Sequence, residues 1–299
     1  DNAFGQLEQR QLSKIRAWSD THLAAPKPTM FYMFSGPDFL YANAFYPKAT
    51  TYVLSALEPP GQVPDLTKLP RGAMGAALYN VEHSLGSILS FSFFITKDMR
   101  RDLVSTRFRG VIPLILCFMA RTGHQIESID LVQLDAAGNP ILVQGAQSPG
   151  VMIRSYGPDG AMRRVFYFRQ DLADQSLKPG GPFLQFVSSM GNPPAFVKSA
   201  SYLMHESYFS NIRNYLTSQC RGIVQDPSGI PYANLLSAGL DLRLYGNYSG
   251  TLDIFSNRQQ PDLIQAYREG RHNAQPIPFG IGYMYAADRT CLMVARRSR

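Results

Sequence analysis

Residues 29–59 read TMFYMFSGPDFLYANAFYPKATTYVLSALEP. Their pattern predicts a strand, a tight turn at 35–38, a short helix and a second strand that ends at Glu58. A glycine turn that meets a helix N-terminus, with an acidic residue at the end of the next strand, is typical of a nucleotide-type site. We therefore predict a Rossmann-like βαβ unit in this stretch.

The turn and the acidic residue form the first candidate site. If Ser35 caps the helix, the exposed backbone N–H groups make an anion-binding nest, and Glu58 follows Gly36 near the spacing of about 20 residues used for ribose-binding carboxylates. The alternative is a capped helix without a cofactor, because the turn has one glycine and Pro37 lacks an N–H. The cofactor-binding candidates are Ser35, Gly36, Asp38 and Glu58.

These residues resemble the first motifs of S-adenosylmethionine-dependent methyltransferases, in which a glycine-rich loop follows strand one and an acidic residue ends strand two. The resemblance covers residues 29–59. It implies S-adenosylmethionine as cofactor, with Gly36 in the loop and Glu58 as the ribose ligand, and it matches no catalytic signature. The sequence departs from the pattern where Gly36-Pro37 replaces a run of glycines.

Composition indicates a globular chain with a large core. Of 299 residues, 45% are hydrophobic and 12% aromatic, while charged residues make up 17%, below the roughly 25% that is usual in soluble domains. The longest apolar run, 111–120, is far shorter than the roughly 20 residues needed to cross a bilayer. We therefore expect neither disorder nor a transmembrane helix.

The net charge of +7 favours an anionic partner over a cationic one. The basic residues form small clusters, however, and no long basic stripe is interleaved with aromatic residues as nucleic-acid binding requires. We predict no nucleic-acid partner, and we expect solvated surface charge or a small ligand or anionic envelope component. The clusters are Arg100, Arg101, Arg107 and Arg109; Arg163 and Arg164; and Arg296, Arg297 and Arg299.

Several features lead us to expect a periplasmic or secreted protein. Charge is low, tyrosine is frequent, and the chain starts at Asp1, as after removal of a leader. The layout also resembles a family of exported bacterial proteins in the stretches 34–41, 223–232 and 278–283, which implies export and no particular chemistry. The three cysteines form no C-x-x-C pair, and Cys117 is predicted to be buried. The sequence leaves open whether two of the three form a disulfide.

The fold class that we predict is α/β (mixed α+β), with a Rossmann-like half followed by an antiparallel, hairpin-rich remainder. We divide the chain into an N-terminal helix (1–24), an α/β half (25–125) and an α+β half (126–299) that packs with the first as one unit. The finer prediction places helices at 4–23, 73–94, 98–108, 111–121, 196–219 and 261–269, hairpins at 126–144, 151–169 and 279–295, and a strand at 252–255.

A second candidate site lies in the proline-rich loop 225–232, where Asp226 or Tyr232 could carry a proton. The alternative is a β-turn whose aspartate binds its own backbone. His205 is the third catalytic candidate, and His83 is interpreted as a core histidine. No His-x-x-x-His, Gly-x-Ser-x-Gly or Walker pattern is present, so we predict no metal site, serine hydrolase or phosphoryl transfer.

Two functions remain open at this stage. The first is an exported protein that binds a small ligand or envelope partner, because no complete catalytic signature occurs. The second is a divergent Rossmann-fold enzyme that uses a nucleoside-type cofactor at Gly36 and Glu58. A sugar-binding loop with Tyr245 and Tyr248 is a weaker interpretation, since tyrosines at strand spacing more often pack a sheet face.

Overall fold

The computed structural model describes residues 2–23, 28–63, 65–68, 70, 72–94, 109–145 and 148–297. They form a mixed α/β structure around one ten-stranded sheet. The helix predicted at 98–108 lies outside the described residues. Within the part that is described, no helix has the length and apolar character needed to span a bilayer.

The strands are β1 (Thr29–Met33), β2 (Thr51–Ala56), β3 (Gln125–Leu134), β4 (Pro140–Leu142), β5 (Gly150–Tyr156), β6 (Met162–Arg169), β7 (Ala195–Val197), β8 (Gly222–Gln225), β9 (Leu240–Gly246) and β10 (Cys291–Arg297). The helices are α1 (Asn2–Leu7), α2 (Ser13–His22), α3 (Phe39–Phe45), α4 (Ala73–Phe91), α5 (Ile112–Arg121), α6 (Pro182–Ser189), α7 (Ser210–Gln219), α8 (Tyr232–Ser237) and α9 (Pro261–Arg268). A π-helical turn, Glu8–Leu12, joins α1 to α2.

The centre of the sheet is parallel and its two sides are antiparallel. The strand order is β4-β3-β5-β6-β2-β1-β7-β8-β10-β9, and β6, β2, β1, β7 and β8 all pair in parallel. From β1 the chain first adds β2 on one side, and β7 later adds on the other. This reversal places a topological switch point between β1 and β7, where open α/β sheets form a crevice at the carboxyl ends of the strands.

Two hydrophobic clusters cover the two faces of the sheet, and β1 contributes to both. Tyr32 packs with the helices of the N-terminal part, while Phe31 and Met33 pack with those of the C-terminal part. All five residues of β1 are buried, as is usual for a parallel strand covered on both faces.

Several predicted elements are confirmed. β1 and β2 are adjacent and parallel, with Thr29 opposite Thr51 and α3 between them in the chain. The hairpins β3–β4 and β5–β6 are antiparallel, and α1–α2, α4, α5 and α9 occupy predicted helical stretches. β6, β7 and β8 nevertheless join the parallel centre, so strands from both predicted halves share one sheet.

The helix predicted over 196–219 is wrong in its first half. Ala195–Val197 forms β7, which inserts between β1 and β8, and the α-helix begins only at Ser210. Between them, Ser199, Ser201 and Tyr202 have positive φ angles, which a right-handed helix does not allow. The apolar character of 195–197 therefore reflects a buried strand.

The C-terminal hairpin is also wrong, because β10 pairs antiparallel with β8 and β9 and does not pair with 279–285. Residues 253–258 form 3-10 turns where a strand was predicted. The three cysteines are free thiols; Cys220 and Cys291 are buried, but Cys117 is only half-buried, contrary to prediction. Burial raises the pKa of Cys220 and Cys291 to about 12, which keeps both protonated at neutral pH.

Candidate functional site

A cavity of about 360 Å³ lies at the carboxyl ends of the parallel strands. The turn after β1 and the loop after β7 form its two sides, with residues that follow β2 and β6 beside them. This is the switch point between β1 and β7. The volume falls within the range of about 300–1,000 Å³ that is common for small-molecule pockets.

A buried ion pair lies at this cavity. Lys198 Nζ is 2.8 Å from Asp38 Oδ2, and both side chains are only 2% exposed. Asp38 Oδ2 also accepts a hydrogen bond from the Tyr32 hydroxyl at 2.9 Å, and Asp38 Oδ1 accepts one from the Tyr41 backbone N–H at 3.0 Å. Both carboxylate oxygens are therefore used within the protein.

Lys198 connects the two sides of the cavity. Besides Asp38, its ammonium group donates to the carbonyl of Ser92 and lies 4.2 Å from the centre of the Tyr41 ring. Ser92 immediately follows α4 and precedes Phe93 and Phe94, which line the cavity. Lys198 is thus engaged by a carboxylate, a carbonyl and an aromatic ring, and it links the turn after β1 to the residues that follow α4.

The remaining wall is largely apolar and aromatic. Phe34 and Phe209 lie with ring centroids 5.9 Å apart, and Phe93 packs edge-on against Tyr283 at 5.0 Å. Aromatic walls that surround a few placed polar groups are typical of sites for small organic ligands.

Backbone strain is concentrated at the same place. Phe34, Ser199 and Ser201 line the cavity with φ angles of 58°, 53° and 50°. Non-glycine residues in this region are uncommon, and they persist where the surrounding structure imposes them, often at functional sites. Asp226 fixes one of them, since its Oδ2 accepts a hydrogen bond from the Ser199 N–H at 2.8 Å.

The four residues predicted as cofactor-binding, Ser35, Gly36, Asp38 and Glu58, all line this cavity. Their detailed roles differ from the prediction in one respect. The residue that caps α3 is Asp38, whereas Ser35 Oγ accepts from the Ser55 N–H and ties β1 to β2. Glu58 is 5% exposed, and its backbone carbonyl accepts a hydrogen bond from the Tyr167 hydroxyl at 2.7 Å.

The three catalytic candidates lie outside the cavity lining. Asp226 Oδ1 accepts from the Ser228 N–H at 2.9 Å, as expected for a turn that binds its own backbone, and burial raises the pKa of Asp226. The Tyr232 hydroxyl lies 2.7 Å from His272 Nε2. Burial lowers the pKa of His205 to about 4, so this imidazole is neutral at pH 7.

Other predicted features take structural roles. Tyr245 and Tyr248 are buried, which leaves no exposed ring face for a sugar. His83 is exposed, so its interpretation as a core histidine is wrong. Among the residues that the structure describes, no group of three or more metal-ligating side chains comes together.

The sequence prediction missed Lys198 and Ser199, because both fall within the helix expected over 196–219. A local signal was present. Pro193-Pro194 disfavours helix in the residues that precede it, and Lys198 stands between the apolar triplet 195–197 and the two small residues 199–200. That pattern is consistent with a buried strand that runs into a turn.

A larger groove of about 830 Å³ lies at the opposite, amino edge of the sheet. Its wall includes Lys48, just before β2, and Arg163, near the start of β6. Arg163 Nη2 is 2.6 Å from Asp159 Oδ2; the arginine is 4% exposed and the aspartate 56%.

No protein-family model, curated protein or solved structure matches this chain.

Proposed function

We propose that this protein binds a small organic ligand in the cavity at the carboxyl edge of the sheet. The observation that carries the proposal is the coincidence, at one switch point, of a cavity of about 360 Å³, a buried Lys198–Asp38 pair and three strained residues. Buried charges and strained backbone both cost folding free energy, and sites that serve ligands are where such costs persist.

A second candidate function is a methyltransferase-like enzyme that uses a nucleoside-type cofactor in a Rossmann-like unit, β1–α3–β2. It is supported by one specific observation: Gly36 and Glu58, at the ends of adjacent parallel strands, line the same cavity. The turn supports it less well, since Pro37 lacks an N–H and Asp38 caps the helix.

The test is thermal unfolding with S-adenosylmethionine, S-adenosylhomocysteine, NAD and ATP. A ligand at 100 times its dissociation constant adds about 2.7 kcal/mol to the free energy of unfolding, which is readily measured. The enzyme hypothesis predicts a shift with S-adenosylmethionine that Glu58→Ala abolishes and Glu269→Ala, an exposed control, retains. If Glu58→Ala binds as the wild type does, that hypothesis is wrong.

Export to the periplasm or the exterior, with an envelope partner as an alternative ligand, remains part of the proposal. Its support is the composition of the chain, with 17% charged residues. Fractionation of the source cells tests it, and recovery of the protein with the cytoplasmic fraction would contradict it.

A further inference from the structure

The charges at the cavity determine which ligands it can accept. Among the described residues that line it, Lys198 is the one cation, whereas Asp38, Glu58 and Asp171 are acidic. Lys198 is already engaged by Asp38, the Ser92 carbonyl and the Tyr41 ring. An incoming anion would have to compete with these contacts for the ammonium group.

The start of α3 offers no anion site either. The Asp38 carboxylate occupies the N-cap position and accepts the Tyr41 N–H, one of the groups that would otherwise face a phosphate. The preceding Pro37 has no N–H to offer. A phosphate or carboxylate placed here would meet a carboxylate of the same sign in a buried setting.

One polar atom at the cavity has its bonding capacity unused. Ser199 Oγ is buried and, in the described part of the chain, has no hydrogen-bond partner. The Ser199 backbone is fixed on both sides: its N–H donates to Asp226, and its carbonyl accepts from the Tyr283 hydroxyl at 3.0 Å. A buried hydroxyl without a partner is unfavourable, and Ser199 lines the cavity, so we expect a ligand atom to complete its bonding.

We propose that the cavity selects an uncharged or cationic aromatic molecule over an anionic one, and that the Ser199 hydroxyl makes a hydrogen bond to this ligand. The proposal rests on the ligand-binding function proposed above and names the class of ligand. The aromatic wall formed by Phe34, Phe93 and Phe209 supplies the faces against which a ring or a cation packs.

The experiment compares matched probes by calorimetric titration of the full chain. Tyrosol, tyramine and 4-hydroxyphenylacetate share one ring and differ in carrying no charge, a positive charge or a negative charge; adenosine and AMP form a second pair. We expect tyrosol or tyramine to bind at least ten times more tightly than 4-hydroxyphenylacetate, and adenosine at least ten times more tightly than AMP. Equal or tighter binding of the anionic members overturns the proposal.

Two variants test the residues. Ser199→Ala should weaken binding of the uncharged probes about tenfold, whereas Ser237→Ala, on the exposed side of α8, should leave it unchanged. Asp38→Asn leaves the Lys198 charge without its counter-ion, so the preference should move toward the anionic probes. Cooperative thermal unfolding shows whether Asp38→Asn is folded. If it is not, the proposal is judged from the binding of the matched probes to the wild type and to Ser199→Ala.

The outcomes separate this inference from the function on which it rests. Binding of any probe with the opposite charge preference, or with no effect of Ser199→Ala, leaves the ligand-binding function in place and rejects the selectivity. If no probe binds and the cofactor panel gives no thermal shift, both proposals are rejected together.

Discussion

The cavity at the carboxyl edge and the groove at the amino edge differ in how their ion pairs meet water. The groove is more than twice as large, yet its pair joins a buried Arg163 to an Asp159 that is 56% exposed. The cavity is smaller, and both Lys198 and Asp38 are almost wholly removed from solvent. The volume of a cleft is therefore a poor guide to which one is the candidate site, and the free-energy cost of burying both charges distinguishes the cavity from the groove.

The largest expected effect tests this difference directly. Lys198→Met leaves the Asp38 carboxylate buried without a counter-ion, so we expect a loss of about 3–5 kcal/mol in the free energy of unfolding. Arg163→Met leaves Asp159 in contact with water, and we expect a loss of about 1 kcal/mol. Urea unfolding of both variants measures the difference. Equal losses would show that the two ion pairs are not energetically distinct.

A pair of glycines gives the next effect. A Cβ on Gly282 would lie 1.9 Å from Asp226 Oδ2, and its φ is +68°. Gly160, in the β5–β6 turn, has a similar φ of +74° but nothing within 4 Å of its Cβ position. We expect the free energy of unfolding to fall by about 3 kcal/mol in Gly282→Ala and by about 1 kcal/mol in Gly160→Ala.

Thermal and urea unfolding of the two alanine variants check this prediction. Because the φ angles are nearly the same, the difference isolates the contact with Asp226. A Gly282→Ala variant as stable as Gly160→Ala would mean that the Asp226 loop moves aside without cost.

The smallest effect concerns acid stability at the carboxyl edge. The pKa of His205 falls from 6.5 to about 4 on folding, chiefly through burial, so the unfolded chain binds the proton more readily between these values. Its contribution to stability is present above pH 6.5 and is lost as the pH falls through 4. The wild type should lose free energy of unfolding between pH 7 and pH 4, and we expect His205→Gln to make this loss smaller by about 2 kcal/mol.

Chemical unfolding at pH 7, 5.5 and 4 measures this change. His83→Gln is the matched control, because His83 is exposed on α4. A pH profile of His205→Gln that coincides with that of the wild type would contradict the prediction.

Much of the candidate site was predictable because it is local in sequence. The turn at 35–38 and the end of β2 belong to one β-α-β unit, and the glycine turn and the apolar periodicity within it define the placement of Gly36, Asp38 and Glu58. Parallel pairing of neighbouring strands then brings these residues to one edge.

The other side of the cavity was not predictable by the same means. Ala195–Val197 is three residues long and is defined by its register with Phe31 and Ile223, which lie far away in the chain. Local periodicity carries no information about such pairing, so it places Lys198 and Ser199 in a helix. For the same reason, the sequence predicts that the last strand pairs with the adjacent stretch 279–285, whereas β10 pairs with β8 and β9.

The position of β10 has a consequence for biosynthesis. Arg296 pairs with Gly222 of β8 on one side and with Asp241 of β9 on the other, so β10 lies between two strands that are made earlier. While the ribosome still holds residues 291–297, β10 cannot join β8 to β9, and the edges of β8 and β9 that later pair with β10 have no strand partner. That side of the sheet closes only once residues 291–297 have left the ribosome and pair with both neighbours at once, a non-local step that slows folding.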